Sequence, residues 1–172
     1  MAVFLTSYFW MLDNEDSAHA YAVVPDDPPG SHAISGINSS SFPSQFEAIQ
    51  AIPQNQRGPA VQNFYQTQFW NKWFAQLTSD EVAKRVYDAS VNMGGGTAVH
   101  LLQQAVNDSS PATVLNEDSQ WGPKTVGATN ACDPVALVAA FKSARVFHYE
   151  CIVKANPQDE KYLAGWIARA EK

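Results

Sequence analysis

Apolar residues recur at helical spacing along most of the chain, and no stretch alternates apolar and polar residues long enough to build a large sheet. That pattern calls for a mainly α fold. The first apolar run, Ala2 to Leu12, gives way over residues 16–42 to a stretch rich in Asp, Pro, Gly and Ser. Its turn chemistry leaves room for a short hairpin around Ala20–Val24 and Ala33–Ile37. Helices are expected over residues 44–52 and from Gly58 to Leu77, the second carrying Phe64, Phe69, Trp70, Trp73 and Phe74. Thr78-Ser79-Asp80-Glu81 has the spacing of a capping box, with Thr78 as N-cap, and opens a helix through Val82, Val86 and Tyr87 toward Met93. Gly94-Gly95-Gly96 breaks it, and Thr97 to Val106 resumes the spacing. Asn107 to Gln120 then reads as a polar loop with one proline and as a subdomain boundary. Gly122-Pro123, Asp133-Pro134 and Asn156-Pro157 each start a further helix, with Asn156 as an N-cap.

A length of 172 residues with 45% hydrophobic content suffices for one good core and a small annex. The formal net charge of -6 leaves no basic footprint, which argues against nucleic acid as a partner. The N-terminal apolar run is too short to span a bilayer, so no stable membrane insertion is expected, and Met-Ala-Val-Phe-Leu lacks the pattern of a secretory signal. If Cys132 and Cys151 bracket one helical segment they lie roughly 28 Å apart, beyond disulfide reach, and free thiols are expected. No His/Cys/Asp grouping has zinc-ligand spacing, so neither a metal nor another cofactor is expected.

Glu15 stands where the first helix gives way to the loop. A carboxylate there feels the negative end of the helix dipole, which favours the protonated acid, and partial burial works the same way. That is how a general acid is made. Asp26 and Asp27 are the carboxylates of the adjacent Pro- and Gly-rich segment, and His19 and His32 flank it, either reaching the acid or lying idle on the surface.

Three stretches carry a family resemblance. The first is Glu15, Asp27-Pro28-Pro29-Gly30 and Gly36-Ile37. The second is Val86-Tyr87-Asp88-Ala89-Ser90-Val91-Asn92-Met93-Gly94, running into Leu101-Leu102-Gln103-Gln104-Ala105. The third is Asp118-Ser119-Gln120-Trp121-Gly122-Pro123-Lys124-Thr125, continued by Arg145, Tyr149 and Gly165-Trp166 to Arg169. In this order they resemble the N-acetylmuramidases of glycoside hydrolase family 108, some of them known as secretion activators, with a C-terminal helical peptidoglycan-binding module. The chain departs from the family pattern at Asp16-Ser17, where members carry two glycines, at Pro29, which replaces a glycine, and in lacking a Thr near Ser31 to Ala33.

The resemblance implies a lysozyme-like helical domain over residues 1–107 and a helical peptidoglycan-binding subdomain over residues 108–172. It implies hydrolysis of the β-1,4 bond after N-acetylmuramic acid, with Glu15 as proton donor and Asp27 or Asp26 as its partner. Peptidoglycan strands are the expected partner. Tyr65, Trp70 and Trp73 stack on pyranose faces or fill the core, Asn92 binds an N-acetyl group, and His32 is a further contact candidate. A chain without a visible signal reaches the wall, on this reading, by non-classical export or lysis. The alternative is an inactive homologue that binds glycan or a partner through the same groove.

Overall fold

The computed structural model describes residues 1–109 and 114–172. Helix α1 (Phe4–Glu15) leads into strands β1 (Val23–Asp26), β2 (Ser31–Ile34) and β3 (Ile37–Asn38). Helices α2 (Pro43–Gln50), α3 (Gly58–Phe69), α4 (Asp80–Met93), α5 (Gly95–Ser109), α6 (Pro123–Ala131), α7 (Pro134–Ala155) and α8 (Glu160–Ala170) follow. The class is mainly α, as expected.

Helix α4 is the organising element. Phe4, Tyr8, Met11 and Leu12 line one face of α1 and are buried, and α1 packs on α4, where Val86 and Tyr87 are fully buried. Each such side chain contributes roughly 1.5–3 kcal/mol by leaving water. On its other sides α4 meets α5 and α7, and α7 carries α8. The first helix therefore packs on α4 and the last on its neighbour α7.

The sheet is small and antiparallel, in the order β1-β2-β3. Ile34 pairs with Ile37 across a two-residue turn, Ser35-Gly36, whose φ angles of 47° and 82° suit the type I′ turn that follows the twist of a hairpin. The pairing closes nearer the turn than expected, the first strand falling later and the second earlier: Val23 to Asp26 pairs with Ser31 to Ile34. The reason is local, because the amides of Ala20 and Tyr21 are taken by the Asp16 carboxylate, at 3.0 and 2.7 Å, instead of entering a ladder.

Several expected helix ends move. Ser79, not Thr78, caps α4 by accepting from the Val82 amide at 3.3 Å, while Thr78 donates its amide and hydroxyl to Asn130 and Glu81 turns to Lys84 and Arg85. Helix α3 stops at Phe69, short of Leu77, because Trp70 takes an extended backbone that lays its ring against Phe74 at 5.1 Å. Helix α5 runs to Ser109, so the first residues of the expected polar loop are helical; its proline, Pro111, lies outside the described residues. Asp133 caps α7 through the Val135 and Ala136 amides. Asn156 caps no helix with its side chain and instead donates to the Asp159 carboxylate at 2.8 Å. Both cysteines are free, but Cys132 ends α6 while Cys151 lies within α7, so they do not bracket one helix. Among the described residues no helix is long and apolar enough to cross a membrane.

Candidate active site

Glu15 is the last residue of α1, and a cleft of about 250 Å³ opens beside it. Glu15, Asp16, Asp26, Ser35 and Gly36 line that cleft together with Ala20, Ala22, Val24 and Ala33. The hairpin turn makes the approach possible. A Cβ on Gly36 would stand 2.5 Å from Glu15 Oε2 and 2.8 Å from the Tyr65 hydroxyl, and the φ of +82° is itself a glycine conformation. The turn is fastened from two sides: Tyr65 donates to the Ser35 carbonyl at 2.7 Å, and the Ser35 hydroxyl donates to Asp16 Oδ2 at 2.7 Å. Burial, reinforced by the charge of Glu15, pushes the Tyr65 phenol well above its ordinary range, so it remains a donor.

The two oxygens of Glu15 have different surroundings. Oε1 accepts from Arg169 Nη2 at 2.7 Å, whereas Oε2 lies on the Gly36 side with no hydrogen-bond partner among the described residues. Arg169 is shared with Asp88, which is fully buried and accepts from it at 2.7 Å, from Arg145 at 3.0 Å and from Asn14 at 3.2 Å. Burial opposes the Arg169 charge, but the Asp88 and Glu15 carboxylates outweigh it and hold the guanidinium protonated more firmly than an ordinary arginine. Two carboxylates and two guanidiniums thus balance one another where α1, α4, α7 and α8 meet.

Asp16 bonds away from Glu15. Partial burial raises its affinity for a proton, but the Ser35 hydroxyl, the Ala20 and Tyr21 amides and His19 outweigh that and hold its carboxyl below the usual range. Asp26 closes the cleft on the sheet side, where its carboxylate accepts from Asn38 Nδ2 at 2.7 Å and from the Asp27 amide at 2.9 Å. Asp27, the next residue, is not in the cleft wall and accepts from the Tyr162 hydroxyl at 2.7 Å.

The remaining candidates disperse. Tyr65 is 1% exposed and lies beneath the site, with no ring face open to a sugar. Trp70 is wedged between Phe4, Phe74 and Tyr87 at the edge of the core. Trp73 is half-buried under Lys72. Asn92 is exposed near the end of α4 and accepts from the Tyr149 hydroxyl, and His32 is exposed on β2; neither lines the cleft.

The arrangement is a helix-end carboxylate facing a carboxylate-bearing hairpin. A family model described as glycosyl hydrolase 108 matches residues 11–94, and one described as a predicted peptidoglycan domain matches residues 97–171. The chain is a glycosyl hydrolase 108 unit joined to a peptidoglycan-domain unit. The solved structure of Brucella abortus SagA is similar in fold, with a TM-score of 0.68 at 18% identity over 98% of this chain and 89% of that one. No curated protein matches the chain.

In the hydrolase 108 unit lie Glu15, Asp16, Asp26, Ser35 and Gly36; Arg169 and Tyr162 come from the peptidoglycan-domain unit. Ser35 and Tyr162 are not among the residues expected from sequence, and Arg169 enters there only as part of the family likeness. For Ser35 a signal was present, since Ser-Gly between apolar residues marks a hairpin turn. For Arg169 there was none, because it reaches Glu15 across 154 residues.

Proposed function

We propose that this glycosyl hydrolase is a peptidoglycan N-acetylmuramidase in which Glu15 protonates the leaving oxygen of the β-1,4 bond. The observation that carries the reading is the shared cleft: Glu15 and Asp26 line it together, and Gly36 keeps the space beside Oε2 free. Oε2, the oxygen that does not bond Arg169, is the one that faces the leaving group. On the opposite side the Asp26–Asp27 turn supplies the carboxylate that activates water or steadies the oxocarbenium-like transition state. The peptidoglycan-domain unit, matched over residues 97–171, holds the glycan strand beside the cleft. The site of action is the cell wall, whatever route carries the chain there.

The test is release of soluble muropeptides from purified sacculi by the full chain and by Glu15→Gln. Loss of about a thousandfold in rate is expected on removing the acid, with muramic acid at the new reducing ends by mass spectrometry. Most of the activity surviving in Glu15→Gln would refute the assignment, and anhydro-sugar ends would make the protein a lytic transglycosylase.

A second reading is favoured by one observation. Asp16 lines the cleft at a position where the family pattern that the chain resembles has glycine. An inactive glycan-binding homologue would release no soluble muropeptides while still pelleting with sacculi.

A further inference from the structure

Helix α8 belongs to the peptidoglycan-domain unit, yet one of its side chains ends on Glu15 of the hydrolase cleft and another on Asp27, the neighbour of the cleft residue Asp26. Arg169 Nη2 donates to Glu15 Oε1 at 2.7 Å, and the Tyr162 hydroxyl donates to Asp27 Oδ2 at 2.7 Å. Glu15 ends α1 on one wall, and Asp27 follows Asp26 in the hairpin that forms the other. Tyr162 and Arg169 are seven positions apart, two helical turns, so they share a face of α8 and their Cα atoms are separated by about 10 Å along its axis. One element therefore holds Glu15 and the residue next to Asp26 at once.

We propose that α8 is a clamp of the catalytic site, in which Tyr162 and Arg169 are positioning residues that hold the Asp26–Asp27 turn and Glu15 at a fixed separation. The proposal rests on the reading of Glu15 and that turn as the reacting groups. It gives the C-terminal unit a part in the reaction as well as in binding.

The anchoring of α8 supports this role. At the Arg169 end the guanidinium also grips Asp88 through Nε and Nη2, and Asp88 is in turn bound by Arg145 of α7. The main chain beyond α8 is tied as well, with the Lys172 carbonyl accepting from Arg85 at 2.6 Å and the Glu171 carbonyl accepting from Lys142 at 2.5 Å. At the other end, Tyr162 stacks on Trp166 at 5.6 Å and 26°, and Trp166 stacks on Tyr149 at 5.2 Å and 27°, whose hydroxyl donates to Asn92 of α4. A three-ring stack backed by α4 keeps the Tyr162 hydroxyl at a defined height. The hydrogen bond it makes to Asp27 is exposed, whereas the Arg169 contacts are largely shielded, so the clamp is firmer on Glu15 than on the hairpin. A carboxylate pair whose spacing governs how water or sugar is attacked gains most from such a constraint.

The test uses the full chain with Tyr162→Phe, Arg169→Lys and Arg169→Gln, each assayed for kcat and KM on solubilised glycan strands, for pelleting with sacculi and for melting temperature. Tyr162→Phe removes one hydroxyl at an exposed position, and a fold close to wild type is expected. The clamp predicts that its kcat falls about tenfold while KM and pelleting stay within about twofold, the signature of misplaced reacting groups rather than weaker binding. Arg169→Lys keeps a charge on Glu15 and is expected to retain several-fold more kcat than Arg169→Gln. An unchanged kcat in Tyr162→Phe overturns the clamp, and so does a raised KM at constant kcat, which would make Tyr162 a glycan contact. Glu15→Gln run alongside separates the two claims: if it is inactive while Tyr162→Phe is unaffected, only the clamp fails, and if it stays active the underlying reading fails.

Discussion

Arg169 donates to Glu15 at 2.7 Å while also gripping the fully buried Asp88, so the last helix of the chain is bonded to the end of the first. The contact joins the two family units at the residue with the strongest claim to chemistry. It also makes the stability of the fold and the geometry of the site depend on the same charges.

Asp88 is the anionic centre of that network, and its loss leaves Arg145 with one charged partner fewer in a fully buried position. Asp88→Asn is expected to destabilise the protein by about 3–5 kcal/mol, the cost of breaking a buried pair from one side. Urea denaturation followed by far-UV circular dichroism measures it. A cost within error of zero would mean that the network is solvated.

Gly36 has no room for a side chain. In Gly36→Ala the new methyl group would meet Glu15 Oε2 and the Tyr65 hydroxyl at distances below van der Waals contact, in a backbone conformation that disfavours alanine. Displacement of the Glu15 carboxylate is expected to lower kcat at least tenfold, with about 1–2 kcal/mol lost in stability. Steady-state kinetics and thermal melting on the same sample check both numbers.

The two aspartates of the hairpin are expected to differ. Asp26 faces the cleft with Glu15, whereas Asp27 is engaged outside it by Tyr162. Asp26→Asn is therefore expected to lose about a hundredfold in kcat or more, as for a group acting on the reacting atoms, and Asp27→Asn about tenfold. The reverse order would move the reacting carboxylate to Asp27.

Asp16 couples the loop after α1 to pH. Its carboxyl is held below the ordinary value, so its contribution to stability is present in full above about pH 4 and fades as pH falls through the depressed folded-state value. In Asp16→Asn the loss of stability between about pH 4 and pH 2 should be shallower than in the wild type. Melting temperatures recorded across that interval give the two slopes; equal slopes would show that Asp16 is not held in the folded state.

Much of the architecture was legible because its causes are local. Proline at the first helical position and Asp133 just before it announce α7, and the loss of apolar spacing after Leu12 places Glu15 at a helix end. Ser79 in place of Thr78 is a shift of one residue between two equally suited caps, decided when Asn130 claims Thr78. The end of α3 is different in kind: nothing local stops a helix at Phe69, and it is the aromatic cluster of Phe4, Phe74 and Tyr87 that draws Trp70 out of helical geometry.

The sequence by itself determined the helical class, the family and the position of Glu15, since periodicity, capping and motif order act between residues close along the chain. Tertiary structure alone decided that Tyr65 and Trp70 serve the core, that Asp26 rather than Asp27 lines the cleft, and that Glu15 is paired with Arg169. Those outcomes depend on which surfaces α4 brings together. Hydrogen bonds and ion pairs spanning 135 and 154 residues leave no mark in local spacing, because either partner alone has the composition of an ordinary helix or turn.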